Sequence, residues 1–126
     1  MEAKFIGNVL VVEDNPVNQM VIKGQLTRMG LLVDVAEDGQ KALDIIDDSS
    51  DYDIIFMDVQ MPIMDGIECT ENIRKNDKNT PIVAVTANVT DLDRENCINC
   101  GMNGFISKPL SRNVLISELE KWLTDK

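Results

Sequence analysis

Short runs of mostly apolar residues recur along the chain, and each is followed by a longer segment with helical spacing of its apolar positions. An uninterrupted apolar run is typical of a central parallel strand, because other elements cover both faces of such a strand. The pattern therefore predicts five strands. They are residues 8–13, 31–36, 53–58, 81–86 and 104–107.

The segments between and after these strands carry the capping signals of helices. A polar side chain that can accept hydrogen bonds from free backbone N–H groups precedes each segment. The predicted N-terminal caps are Asn15 or Asp14, Asp38, Asp65, Thr90 and Ser111. The first helix is predicted to start at Pro16 and to stop at Gly30, the third to end at about Lys75, and the fourth near Gly101.

Strands that are separated by single helices run parallel, with right-handed crossovers. The predicted fold is therefore α/β, with strand and helix repeated five times and a doubly wound parallel sheet between two layers of helices. No low-complexity linker or repeat interrupts the 126 residues. We expect one domain over residues 1–126, with its core at about residues 8–124.

The charge of the chain indicates which partners are disfavoured, and its cysteine content indicates the cellular compartment. The formal net charge is −10, which disfavours direct binding to nucleic-acid backbones and to anionic membranes. No segment has the length of a membrane span or the layout of a secretory signal. Together with three cysteines, this predicts a reducing, cytoplasmic location.

Two of the cysteines, Cys97 and Cys100, have the spacing of a zinc or redox pair. The chain has no histidine and no second cysteine pair, so a closed four-ligand zinc site would need ligands from another molecule. We therefore expect these two cysteines to be ordinary residues at a helix end.

Chemically active side chains follow the predicted strands. Glu13 and Asp14 end the first strand and Asp58 the third, while Thr86 ends the fourth and Lys108 follows the fifth. In an open parallel sheet, ligands bind at the carboxyl ends of the strands. Each residue alone has an ordinary structural explanation as a cap, turn, strand or surface residue. Their joint placement predicts one functional site.

Three carboxylates in one site repel one another, at about 1–4 kcal/mol per pair at roughly 4 Å. A divalent cation removes this repulsion, and oxygen ligands favour a hard ion such as Mg²⁺. A carboxylate can also act as the nucleophile in phosphoryl transfer and form an acyl phosphate. Asp58 would then take the phosphoryl group, Lys108 would supply positive charge, and Thr86 would donate a hydrogen bond.

With these residues in place, the sequence resembles the CheY-like receiver domains of two-component signalling. The resemblance extends from Val9 to Leu123. It implies a flavodoxin-like fold with strand order 2-1-3-4-5. The matching segments are VLVVEDN (9–15), IIFMDVQMPIMDG (54–66), PIVAVTA (81–87) and GFISKPL (104–110).

The resemblance also implies a role for each matching residue of the site. Asp58 corresponds to the phosphoacceptor. Glu13 and Asp14 correspond to the acidic pair that holds Mg²⁺, for which Mn²⁺ could substitute, and Gln60 would contribute its main-chain carbonyl oxygen. The phosphoryl donor would be a phosphohistidine on a histidine kinase or on a histidine phosphotransfer protein.

Further residues correspond to the switch of the family. Thr86 matches the hydroxyl that moves toward the phosphoryl group, and Lys108 matches the amine that pairs with it. Phe105 occupies the aromatic switch position, whose ring turns inward after phosphorylation. Gln60 and Asn88 lie two residues after Asp58 and Thr86, and we expect their amides to tune the rate of dephosphorylation.

The motif DNPVNQ (14–19) and the segments around Thr86 and Lys108 are most similar to receivers of hybrid sensor histidine kinases. The chain would then be an excised receiver whose phosphoryl group passes to or from a histidine phosphotransfer protein. The parent kinase could be anchored in the inner membrane. A stand-alone single-domain regulator is the alternative.

A histidine phosphotransfer protein would dock against the first helix, where Val17, Met20 and Val21 could offer apolar surface. We expect instead that this stripe, extended by Ile22, Leu26 and Met29, faces the core.

Two other functions are compatible with an aspartate in this position. Haloacid-dehalogenase-type phosphatases also use an aspartate nucleophile and Mg²⁺, but they usually place a second aspartate two residues later, where this chain has Gln60. A degenerate receiver that only binds partners would not need the complete set of acidic, hydroxyl and amine groups. Both are disfavoured relative to a phosphoryl-accepting receiver.

Overall fold

The structure, a computed structural model, describes residues 5–48, 52–59, 64–77, 79–87, 90–108 and 110–123. Within these ranges, five strands alternate with five helices, as predicted. The strands are β1 (Asn8–Val12), β2 (Leu32–Ala36), β3 (Ile54–Asp58), β4 (Ile82–Thr86) and β5 (Gly104–Ser107). The helices are α1 (Pro16–Arg28), α2 (Gly39–Asp48), α3 (Gly66–Arg74), α4 (Asp91–Asn99) and α5 (Arg112–Trp122).

The five strands form one sheet in the order β2-β1-β3-β4-β5. All four strand pairs are parallel, so the predicted topology is confirmed. The chain leaves β1 toward β2 on one side and returns to β3 on the other. The order of the strands therefore reverses beside β1, and this is where open parallel sheets place their ligands.

Apolar side chains fill both faces of the sheet. One cluster packs β1, β3 and β4 against α1 and α5, through residues that include Leu26, Phe56 and Leu115. A second cluster packs the opposite face against α2, α3 and α4, through residues that include Ile55 and Ile73. The strands β3 and β4 are buried along their whole length, which explains why they lack a polar alternation.

The predicted helix caps form local hydrogen bonds. The Asn15 side chain accepts from the backbone N–H groups of Val17 and Asn18, and Asp65 accepts from that of Glu68. In the same way, the side chains of Asp38, Thr90 and Ser111 each accept from a backbone N–H group. The donors are Lys41, Asp93 and Val114, respectively. Caps are local in sequence, so they are predictable without tertiary information.

The predicted orientation of α1 is wrong. The side chains of Val17, Met20 and Val21 are 67%, 74% and 50% exposed, whereas Ile22 and Leu26 are buried. At 3.6 residues per turn, these two groups lie on nearly opposite sides of the helix. Only one side can face the sheet, and the group with Ile22 and Leu26 does so. Val17, Met20 and Val21 therefore form an exposed apolar surface, hereafter the α1 surface.

Two further expectations concern membrane and thiol chemistry. Among the described helices, none combines the length and the apolar composition that crossing a bilayer requires. Cys97 lies in α4 and Cys100 is its C-terminal cap, so their predicted position at a helix end is confirmed. Burial raises the pKa of the Cys97 thiol to about 11, which keeps this side chain protonated and poorly nucleophilic.

Candidate functional site

The sheet register brings the predicted site residues to one edge. Val12 is paired with Met57, Asp58 with Val85, and Thr86 with Ser107. The residues that follow or end these strands therefore lie next to one another at the carboxyl edge of the sheet. Because β1 and β3 are neighbours, the acidic residues of both strand ends meet there.

Three carboxylates converge at this edge. Ligand oxygens of Glu13, Asp14 and Asp58 all lie within 4.8 Å of one another. Glu13 and Asp58 are only 5% and 4% exposed, whereas Asp14 is exposed to solvent. A set of oxygen donors with one side open to water fits a hard cation such as Mg²⁺, which keeps part of its hydration shell. The residues present therefore suit the ion that the sequence predicts.

Lys108 completes the cluster from the other side. Its Nζ lies 3.0 Å from Oε1 of Glu13 and 3.5 Å from Oδ2 of Asp58. Its backbone N–H donates to the carbonyl oxygen of Thr86 at 2.8 Å, which ties the residue to the end of β4. Burial alone would lower the pKa of the Lys108 amine, but its bonds to the two carboxylates raise that pKa above the ordinary value. The amine is therefore a permanent cation in the site.

The backbone N–H group and both carboxylate oxygens of Glu13 each have a bonding partner. Its backbone N–H donates to the carbonyl oxygen of Ala36, and its Oε2 accepts from the backbone N–H of Asn15 at 3.1 Å. Burial would raise the pKa of the Glu13 carboxyl group, but the bonds from Asn15 and Lys108 outweigh burial and lower that pKa. The charged carboxylate is thus the stable form of this buried side chain.

Gln19 also contributes to the site, although the sequence analysis assigned it no role. Its Nε2 donates to the main-chain carbonyl oxygen of Glu13 at 2.6 Å. Gln19 lies in the quoted motif DNPVNQ, one turn after the Asn15 cap. The sequence motif supported the family resemblance, but no spacing rule indicates that the Gln19 side chain turns back to the end of β1.

Gly66 is a second residue that sequence reasoning missed. It is the first residue of α3 and is buried against the end of β3. A Cβ atom built on Gly66 would overlap the carbonyl oxygen of Asp58 and would lie 2.9 Å from Cα of Val59. The missing side chain therefore allows α3 to begin directly against the backbone of Asp58.

We expect Gly66→Ala to destabilise the domain by about 1–3 kcal/mol, because the added methyl group meets backbone rather than a movable side chain. Gly24→Ala is the matched control: Gly24 lies in α1, and apart from its chain neighbours and the backbone of its own helix, no heavy atom of the described residues would lie within 4 Å of its added Cβ. That change is expected to stabilise the domain by about 0.5–1 kcal/mol, as alanine does in helices. Urea denaturation measures both. Equal effects of the two substitutions would contradict the close packing at Gly66.

The predicted switch residues lie beside the cluster. Thr86 ends β4 and is 2% exposed. Phe105, in β5, is paired with Ala84 and is partly buried against the cluster on the α2, α3 and α4 side. The guanidinium of Arg94 lies 5.2 Å from the centre of the Phe105 ring. Both predicted residues are thus on neighbouring strands close to the site.

Two other predicted residues, Gln60 and Asn88, lie outside the described residues. Their assignment to metal binding and to the tuning of dephosphorylation therefore stays a prediction. The remaining predicted site residues are brought together by the structure.

A cavity of about 490 Å³ extends from the cluster between the sheet and α1. Glu13, Asp58 and Lys108 line it, and most of its other walls are apolar. Val21 of the α1 surface also lines it. The cavity therefore connects the α1 surface with the carboxylate of Asp58.

Comparison with known proteins gives consistent results. Residues 9–120 match the family model of the response regulator receiver domain. The osmosensing histidine protein kinase SLN1 of Saccharomyces cerevisiae is 46% identical over 110 residues, which cover 82% of this chain and 9% of the kinase. The chain spans about a tenth of the length of such curated relatives.

Two solved structures are similar over nearly the whole chain. One is the receiver domain of the sensor histidine kinase PA1611 from Pseudomonas aeruginosa, with a magnesium ion coordinated in its active site cleft. It is 40% identical, has a TM-score of 0.87, and the match covers 94% of this chain and 98% of that one.

The other structure is the receiver domain of the response regulator Ssk1, co-crystallised with the histidine phosphotransfer protein Ypd1, both from Saccharomyces cerevisiae. It is 30% identical with a TM-score of 0.87, and the match covers 98% of this chain and 91% of that one. The family match, the strand order and the carboxylate cluster agree. The chain belongs to the response regulator receiver domain family.

Proposed function

We propose that this domain accepts a phosphoryl group on Asp58 from a phosphohistidine and thereby takes part in a two-component phosphorelay. The observation that carries the proposal is the cluster of Glu13, Asp14 and Asp58 within 4.8 Å, with the Lys108 amine 3.5 Å from the Asp58 carboxylate. A phosphoryl acceptor needs a nucleophile beside concentrated positive charge. The cluster offers both once a cation is bound.

The proposed reaction forms one bond and breaks one. An oxygen of the Asp58 carboxylate donates an electron pair to the phosphorus atom, and a P–O bond forms. The P–N bond of the donor breaks, and the imidazole, protonated at its other nitrogen, leaves as the neutral ring. The product is an acyl phosphate on Asp58. Asp58 is buried and paired with Lys108, which restricts the movement of its carboxylate and favours the in-line geometry of the transfer.

The cations of the site offset the charge of the transferred group. When bound, Mg²⁺ would neutralise phosphoryl oxygens and orient them beside the acceptor. Glu13 and Asp14 would hold it together with Asp58. Lys108 is already within reach of Asp58 and can exchange its bond to Glu13 for one to a phosphoryl oxygen. Mn²⁺ prefers similar oxygen donors, and we propose that it can replace Mg²⁺.

Thr86 and Phe105 are proposed to read out the phosphorylation. Thr86 lies one residue after Val85, which is paired with Asp58 in the sheet, so the end of β4 lies beside Asp58 and is placed to follow a new charge there. Phe105 lies on the neighbouring strand β5, between the core and Arg94. A shift of Thr86 can therefore be transmitted to the surface formed by α4 and β5.

Asp58→Asn tests the proposed acceptor. The wild-type domain is expected to gain one phosphoryl group when incubated with acetyl phosphate and Mg²⁺, as measured by intact-protein mass spectrometry. The variant is expected to gain none, because an amide is not a nucleophile at this step. Circular dichroism with and without Mg²⁺ controls for folding. A wild-type domain that stays unmodified, or a variant that is modified equally, would contradict the proposal.

We further propose that the domain is the receiver of a hybrid histidine kinase and exchanges its phosphoryl group with a histidine phosphotransfer protein. Its curated relatives are histidine kinases of which it spans about a tenth. Three cysteines are free thiols, and this supports the proposal of a reducing, cytoplasmic location. The α1 surface supports a partner that contributes apolar side chains, since such a surface otherwise stays in contact with water.

Met20→Glu tests the α1 surface as the docking site. Met20 is 74% exposed, so a charge there leaves the fold intact but opposes an apolar partner. With phosphorylated Ypd1 as donor, we expect transfer to the variant to be about 10-fold slower than to the wild type. With acetyl phosphate, which needs no docking surface, both rates are expected to be equal. Equal rates with both donors would exclude the α1 surface.

A further inference from the structure

The end of β1 presents two neighbouring acidic residues whose directions are set by one peptide plane. The carbonyl group of Glu13 and the N–H group of Asp14 belong to the same peptide unit, which is planar and rigid. The two torsion angles that flank this unit, ψ of Glu13 and φ of Asp14, set the relative directions of the two acidic side chains. The two carboxylates in the cluster therefore depend on the orientation of this single peptide.

The last backbone positions of β1 lie at the limit of the sheet. Val12 is the final residue of the strand and is paired with Ala36 and Met57. The N–H group of Glu13 still donates to Ala36. The carbonyl oxygen of Glu13 lies beyond the last pair, and a side chain, Gln19, donates to it at 2.6 Å.

Gln19 itself is held in position by α1. Its backbone N–H donates to the carbonyl oxygen of Asn15 at 2.9 Å, and Asn15 caps the helix. The Gln19 side chain is partly buried, so its amide has few alternative positions. The bond from Nε2 thus connects a rigid helix with the peptide plane between the two acids.

Repulsion among the three carboxylates opposes this arrangement when no cation is bound. Asp14 is exposed and can turn away toward water, whereas Glu13 is held by Asn15 and Lys108. A restraint on the peptide between them limits that movement. Groups that orient metal ligands through hydrogen bonds contribute about 10- to 100-fold to metal affinity.

We propose that Gln19 is a positioning residue for the cation site: it fixes the Glu13–Asp14 peptide so that both carboxylates face Asp58 before the cation binds. This inference rests on the proposed function, because it assumes that the acidic cluster binds Mg²⁺. Gln19 would act through its bond to the Glu13 backbone and would not itself be a ligand of the cation. Its effect is on the affinity for Mg²⁺ and not on the nature of the ligands.

Gln19→Met tests the inference, because methionine keeps the length and the helix propensity of glutamine but cannot donate the hydrogen bond. Gln25→Met is the matched control. Gln25 lies on the same helix, and its side-chain oxygen is buried without a hydrogen-bond partner among the described residues. Mg²⁺ affinity is measured by isothermal titration calorimetry, and thermal unfolding is measured without the cation.

We expect the Mg²⁺ dissociation constant of Gln19→Met to rise about 10-fold and that of Gln25→Met to stay within about twofold of the wild type. In the absence of Mg²⁺, hydrogen exchange at the backbone amide of Asn15, which donates to the Glu13 carboxylate at 3.1 Å, is expected to accelerate in Gln19→Met alone. This readout needs no cation. A general loss of stability would also accelerate exchange at the core amides of β3 and β4, which therefore serve as the internal reference.

The outcomes separate the inference from the proposed function. If the wild-type domain does not bind Mg²⁺, the proposed function fails. If the wild type binds Mg²⁺ and Gln19→Met binds it equally well, or if Gln25→Met loses as much affinity, the role of Gln19 is overturned. Should Gln19→Met fail to fold, Gln19→Ala is measured in its place, with Gln25→Ala as its control and the same criteria.

Discussion

Replacing Lys108 with alanine is expected to slow the phosphorylation of Asp58 by about 100- to 1,000-fold, the usual cost of removing one group that stabilises a transition-state charge. The Lys108 amine lies 3.5 Å from Asp58, and its raised pKa keeps it charged throughout the physiological range. During transfer, negative charge spreads over the phosphoryl oxygens. Removal of Lys108 takes away the cation that would offset that charge on this side of the acceptor. The rate is measured with acetyl phosphate at saturating Mg²⁺.

Lys121→Ala is the control for this prediction. Lys121 also pairs with a largely buried carboxylate, that of Glu118 at 3.1 Å, but it lies on α5 and not at the site. Its removal is expected to leave the phosphorylation rate unchanged. The affinity for Mg²⁺ is expected to be equal or higher in Lys108→Ala, since a competing cation is lost from Glu13. A phosphorylation rate close to that of the wild type would show that Lys108 is not needed in the transfer.

Arg74→Met is expected to destabilise the domain by about 3 kcal/mol, because one guanidinium joins three segments of the chain. Arg74 donates to the carbonyl oxygens of Gly101, Asp77 and Thr80 at 2.9, 3.0 and 2.8 Å. It also donates to the side-chain oxygen of Asn103 at 2.7 Å. Hydrogen bonds from a charged donor contribute about 1.5–3 kcal/mol each, and the oxygens left behind lose their partner. Some of these oxygens can bind water, so the total is smaller than the sum.

The expected loss is measured by urea denaturation, with Lys75→Met as the control. Lys75 is the next residue along the chain and is exposed, and its amine donates to the Asn72 side chain at 3.2 Å. A surface change of this kind is expected to alter stability by no more than about 0.5 kcal/mol. Similar midpoints for the two variants would mean that the Arg74 bonds add little to stability.

The local features of the fold were predictable because they depend on neighbours in the sequence. Capping side chains such as Asn15 and Asp65 bond to backbone groups within three residues. The continuous apolar runs of β3 and β4 correspond to strands buried on both faces. Since strands separated by single helices run parallel, the placement of Glu13, Asp58 and Lys108 at one edge also followed from the sequence.

The side of α1 that faces the core was not predictable in the same way. The helix carries two apolar groups on nearly opposite sides, and sequence spacing alone does not distinguish them. Packing decides between them: Ile22 and Leu26 fill the space beside the sheet, and Val17 and Met20 remain exposed. The exposure of Val17, Met20 and Val21 also matters for function, because these three residues, which we expected in the core, form a surface that a partner can contact.

The sequence by itself determined the order of strands and helices, the helix caps, the family resemblance and the residues of the acidic cluster. Only the tertiary structure decided which long-range contacts those residues make. The bond from Gln19 to Glu13, the two ion pairs of Lys108, and the close approach of Gly66 to Asp58 each join different elements. Such contacts depend on how helices and strands are placed in three dimensions. Residue types and their spacing along the chain do not specify that placement directly.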